Sequence, residues 1–153
     1  MMKRFLFILL VVLFSSVGIL AQTQKIQVKN PTYLGMVLID QKDVPTMKSI
    51  CAYYNLVEQP SEGDFTVFTY SDGTKIRFKK DETPEGSFPV VQVMTNRKPA
   101  DVNKILREAG FVKLSDGYYD GSKFAHRRTK CTLTSGSVST LTFSKVYKSN
   151  EKD

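Results

Sequence analysis

The sequence predicts an α+β fold of two similar units, each one helix followed by about three antiparallel strands, the two sharing a core. Three observations predict it. Apolar residues recur at helical spacing in two separate stretches, each helical stretch is followed by segments of period-two alternation, and the two halves match at an offset of 55 residues. The boundaries that follow are 43–97 for the first unit and 98–148 for the second, with a lead over 22–42 and a polar tail over 149–153.

Residues 1–21 read as a secretory signal peptide: Met1-Met2-Lys3-Arg4 supplies the positive start, Phe5 to Phe14 is unbroken apolar chain, and Ala21 precedes polar Gln22-Thr23-Gln24. The expected location is therefore periplasmic or secreted, with no membrane span left after cleavage. Cleavage at Ala21 removes two cations and no acid, so 20 basic side chains stand against 15 acidic ones, a net charge of +5. Export makes nucleic acid an unexpected partner. It leaves an envelope protein, or an anionic or sugar ligand, as the partner classes a basic exported chain fits.

Gln22 to Pro31 is a polar lead, and Thr32 to Ile39 (TYLGMVLI) is expected as a short edge strand or docking arm. Asp43 is placed to cap a first helix and Pro45 suits its first turn, with Val44, Met47, Ile50, Cys51 and Tyr54 on one face and Asn55 at its end. Asp64 to Lys80 alternates on both sides of Asp72-Gly73, which predicts a hairpin with a two-residue turn. Phe88 to Met94 supplies the third strand, with Pro89 near its start.

Pro99-Ala100-Asp101 opens the second helix, which carries Val102, Ile105, Leu106 and Ala109 on one face and is closed by Gly110. Strands are expected over Phe111–Leu114 or Tyr118-Tyr119, over Lys123–Leu133 and over Val138–Tyr147. A three-residue turn at Ser135-Gly136-Ser137 would set Cys131 opposite Leu141. The 55-residue offset pairs Met47 with Val102, Ile50 with Ile105, Cys51 with Leu106 and Asn55 with Gly110.

This order of elements behind a signal peptide resembles the β-lactamase-inhibitor-protein-like architecture over about residues 43–147. The resemblance implies a protein-binding or scaffold role. That family's unit tends to carry two helices, four strands and a disulfide, whereas each half here shows one clear helix and one Cys. No functional residue transfers on element order alone.

Cys51 and Cys131 are candidates for a disulfide in an oxidising compartment, and each also fits a small buried hydrophobe. No G-x-S-x-G, P-loop, H-E-x-x-H or Cys-x-x-Cys occurs, so a non-catalytic role without cofactor or metal is expected, the alternative being a small enzyme whose pocket of dispersed Asp, Tyr and Lys residues leaves no motif. His126 stands beside Arg127 and Arg128, which oppose metal binding, and Lys123, His126, Arg127, Arg128 and Lys130 read as a charged edge that blocks aggregation. Asp116 and Asp120 lack the oxygen spacing of a calcium loop and read as a turn pair.

One surface is expected to bind. A two-residue Asp72-Gly73 turn would pair Tyr70 with Lys75 and Phe68 with Arg77, and would turn Phe65, Val67, Ile76 and Phe78 to the core. Phe68, Tyr70, Lys75 and Arg77 would then form an aromatic and cationic strip suited to a sugar, an anionic polymer or a partner protein.

Overall fold

The computed structural model describes residues 31–84, 86–121 and 129–145. Residues 1–21, where a signal peptide is expected, the lead before Pro31, the basic residues 123–128 and the tail lie outside the described residues. Within them the element order is α1 (Pro31–Leu38), α2 (Val44–Tyr53), β1 (Val57–Glu62), β2 (Phe65–Thr69), β3 (Lys75–Thr83), β4 (Gly86–Thr95), α3 (Pro99–Glu108), β5 (Val112–Ser115), β6 (Tyr118–Asp120), β7 (Thr129–Thr134) and β8 (Ser139–Lys145). The strands form one antiparallel eight-stranded sheet in the order β1-β2-β3-β4-β8-β7-β6-β5. The α+β class therefore holds, with four strands after α2 and four after α3 where about three were expected.

β1 escaped sequence reading because it is an edge strand. Its residues VEQPSE carry no apolar alternation, none is buried, and Pro60 removes a donor that an edge does not need. Phe111–Leu114 and Tyr118-Tyr119 were alternatives for one strand; both regions are strands, paired through β5 and β6.

The segment Thr32–Ile39 is helical rather than an edge strand. A short continuous apolar run does not distinguish buried helix from buried strand by period. As α1 it packs across β4 and β8, burying Leu34, Met36, Leu38 and Ile39 and leaving Tyr33 and Val37 on its outer side. Gly35 permits the approach: a Cβ there would meet Phe143 Cε2 and Val93 Cγ2 at 2.8 Å each.

Helix α2 begins where the sequence predicts. The Asp43 carboxylate accepts from the Thr46 N–H at 2.7 Å, which lowers the Asp43 pKa because the bond favours the ionised form. Helices α2 and α3 end alike. The N–H of Leu56 donates to Cys51 O and that of Asn55 to Ala52 O; the N–H of Phe111 donates to Leu106 O and that of Gly110 to Arg107 O. These are Schellman bonds, and they need the left-handed conformation that Asn55 (φ 61°) and Gly110 (φ 92°) adopt.

Helix α2 packs on β1 and β3, and α3 on β5. Met47, Cys51, Val102 and Leu106 are fully buried, in one contiguous apolar cluster with Phe68, Ile76, Phe78, Val91, Val93, Cys131, Leu141 and Phe143. Cys131 lies opposite Phe143, and Leu133 opposite Leu141. The expected Cys131–Leu141 pairing was thus two residues out of register, with the face unchanged because side chains alternate with period two.

Candidate functional site

The β2–β3 turn decides what the sheet presents to solvent. Thr69 pairs with Lys75, Phe68 with Ile76, Val67 with Arg77 and Thr66 with Phe78. The loop between Tyr70 and Thr74 has three residues: the Tyr70 N–H donates to Thr74 O at 2.8 Å and the Gly73 N–H to Tyr70 O at 2.9 Å. Gly73 alone takes the left-handed conformation (φ 85°), and the Asp72 carboxylate accepts from the Thr74 N–H at 2.8 Å. This is a type I turn closed by a bulge, the second common hairpin solution for an Asp-Gly sequence.

One residue of slip exchanges the faces of β2. Phe68 points to the helices, 3% exposed and stacked on Phe78 at 5.9 Å. Tyr70 is half-buried against the core. Lys75 and Arg77 stand on the other face, so the four residues expected to form one strip are divided between the two sides of the sheet. Phe65 and Val67, expected in the core, share the outer face with Arg77.

No helix among the described residues covers that outer face. Across it, one row of neighbours in register runs Gln59, Val67, Arg77, Gln92, Thr142, Thr132 and Tyr118. Arg77 Nε donates to Gln92 Oε1 at 2.7 Å, and Gln92 Nε2 donates to Thr142 Oγ1 at 3.2 Å, so side chains of three adjacent strands are joined by hydrogen bonds. Beside this row, Gln59 Nε2 donates to Thr69 Oγ1 at 3.1 Å. Val67, at 1% exposure, lies in register between Gln59 and Arg77, whose long side chains have apolar stems of the kind that cover such a neighbour.

The charges on this face are largely paired. Glu62 accepts from Lys75 Nζ at 2.6 Å and Arg77 Nη1 at 2.8 Å, and these bonds hold its carboxyl below the usual range. Lys79 pairs with Asp81 at 2.6 Å. Two aromatic rings carry cations: the Arg77 guanidinium lies 4.6 Å and the Lys79 ammonium 5.2 Å from the Phe65 centroid, and the Lys130 ammonium 5.6 Å from that of Tyr118. Phe65 and Tyr118 lie on β2 and β6, five inter-strand steps apart, about 24 Å at normal strand spacing. The face therefore offers hydrogen-bonding groups between two ring and cation pairs.

Sequence reading missed Phe65, Gln92, Thr142 and Tyr118. A signal was present, because Tyr-Ser-Asp-Gly-Thr fits a three-residue bulged loop as well as it fits a two-residue turn.

Cys51 and Cys131 are both free and buried. Helix α2 lies over β1 and β3, and β7 is three strands beyond β3, about 14 Å, whereas a disulfide needs Cα atoms within about 7 Å. Burial pushes the Cys51 thiol up to about 12 and also raises that of Cys131, so both are weak nucleophiles. Asp116 pairs with Lys113 at 2.8 Å across the β5–β6 turn. Among the described residues no group of three or more His, Cys, Asp or Glu is disposed to hold a metal, and no helix is long and apolar enough to cross a membrane. Comparison with family models, curated proteins and solved structures finds no match to this chain.

Proposed function

We propose that the protein is an exported, non-catalytic binding protein, built from two copies of a helix-plus-four-strand unit, that engages a partner protein of the envelope through the uncovered face of its sheet. The observation that carries the reading is that face, crossed by the Arg77–Gln92–Thr142 hydrogen-bonded row and free of any covering helix among the described residues. Bonding between strands pre-orders these side chains, so a partner meets donors and acceptors that have already lost much of their rotamer freedom. Export rests on the apolar run of residues 5–14 and its basic flank.

Support for duplication comes from elements related by similar offsets. Residues 55 and 110 are the left-handed helix ends, with the same two cap bonds at each. Phe65 and Tyr118 each begin the strand after a two-residue turn, and each carries a cation, Arg77 or Lys130, from the next strand. The strand order reads alike from either edge toward the β4–β8 seam. This element order also supports the likeness to the β-lactamase-inhibitor-protein-like architecture, from which the protein-binding role follows by analogy.

A photoreactive side chain at position 142, compared with one at Lys104 on the outside of α3, tests the reading in envelope extract. The expected result is one protein adduct from position 142 alone, competed away by unlabelled chain. Equal labelling from both positions would overturn it. The two ring and cation pairs favour a second reading, an anionic or sugar ligand; a polysaccharide that abolishes the adduct, and loses that effect on Phe65→Ala with Tyr118→Ala, would select it.

A further inference from the structure

On the opposite side of the sheet, a cavity of about 340 Å³ opens where α1 runs into α2 above the ends of β3, β4 and β8. Ile39, Asp40, Gln41 and Lys42 form its rim, and Lys80, Ser87, Pro89 and Lys145 its floor. We propose that this cavity binds a small phosphomonoester. It is a site separate from the uncovered face and independent of that reading.

The charges lead to that ligand. Three lysines and one carboxylate line the cavity. Lys145 Nζ donates to Asp40 Oδ1 at 2.5 Å and to Thr129 Oγ1 at 2.9 Å, with both charged side chains mostly buried (13% and 18% exposed), so this pair is fixed and mutually neutralised. Lys42 and Lys80 have no ion pair among the described residues. Two nearby carboxylates are held by neutral donors: Asp43 by the Thr46 N–H and Glu82 by the Ser87 hydroxyl at 2.7 Å. Asp43 still feels Lys80, which contributes to lowering its pKa and marks the lysine as close. Two ammonium groups without an ion pair among the described residues match a dianion, and lysines bind phosphate as separate point charges.

The remaining space defines the rest of the ligand. The cavity is more than ten times the roughly 30 Å³ a water molecule takes up in the liquid, so phosphate alone would leave it largely unfilled. Ile39 and Pro89, both buried, give an apolar wall, and Gln41, Ser87 and the fixed Lys145–Asp40 pair give polar contacts. A sugar-sized group fits that combination.

Calorimetric titration of the folded chain with glucose 6-phosphate, inorganic phosphate and glucose tests the proposal. Saturable binding is expected for glucose 6-phosphate, weaker binding for phosphate, and none for glucose. Lys42→Gln with Lys80→Gln should weaken glucose 6-phosphate by about tenfold or more, the loss expected when two charged hydrogen bonds go. Lys48→Gln with Lys104→Gln removes the same charge elsewhere and should change affinity less than twofold. Absence of saturable binding to the parent chain, or equal weakening in both variant pairs, would overturn the site. Lys42 is exposed, so Lys42→Gln alone keeps the test valid if the double variant does not fold.

Discussion

Gly35 lies where α1 crosses the β4–β8 seam, and two buried side chains, Val93 and Phe143, occupy the place a Cβ would take. Helix propensity favours alanine there by about 1 kcal/mol, whereas overpacking a tight core costs about 1–3 kcal/mol. Both neighbours are fully buried and have little room to yield, so the steric cost should win. Gly35→Ala is therefore expected to lower stability by about 1–2 kcal/mol in urea denaturation; a gain in stability would place the helix farther from the sheet. At this scale the sequence was legible for caps and core positions such as Asp43, Met47 and Leu106, and misleading for Phe68. An alternating strand states which residues share a face, but the turn decides which face is inward, and Asp72-Gly73 admits two turns one residue apart.

The two long helices were readable because their signals are local: a cap or a proline at the start, a three-and-four apolar repeat, and a residue that accepts positive φ at the end. Their matching ends differ in one respect. Asn55 holds the left-handed conformation against a Cβ penalty that Gly110 does not have. Asn55→Gly should thus stabilise α2 by a few tenths to about 1 kcal/mol, while Gly110→Ala should destabilise α3 by about 1 kcal/mol. Opposite shifts in melting temperature are the expected readout, and shifts of the same sign would mean that the two caps are not equivalent. Elements whose signals are not local were harder to read. Helix α1 is apolar on most sides because it lies across the central strands β4 and β8, and β1 is polar because it lies at an edge. In each case burial set by distant strands, rather than local periodicity, determines the composition.

Over the whole molecule, the α+β class was legible, and so was one core drawing on both halves of the chain; the way the halves join was not. That junction is the antiparallel β4–β8 ladder from Val90↔Ser144 to Thr95↔Ser139, with α1 lying over both strands. Nothing local in FPVVQVM or STLTFSK specifies that pairing, because each strand pairs on one side with its neighbour in sequence and only on the other with a strand from the far half of the chain. The junction has an energetic consequence. Separating the halves would leave β4 an unpaired edge, expose Val91 and Val93, and remove half of the platform beneath α1. A chain of residues 31–97 retains four strands and two helices, enough elements for a small domain in principle, but its largest apolar face would lose Leu141 and Phe143 as neighbours. We therefore expect the intact chain to unfold in one cooperative transition, with circular dichroism and tyrosine fluorescence coincident in urea, and residues 31–97 alone to show no cooperative transition. Two separated transitions in the intact chain, or a sharp one in the fragment, would mean that each half holds a core of its own and that the seam is a contact between finished domains.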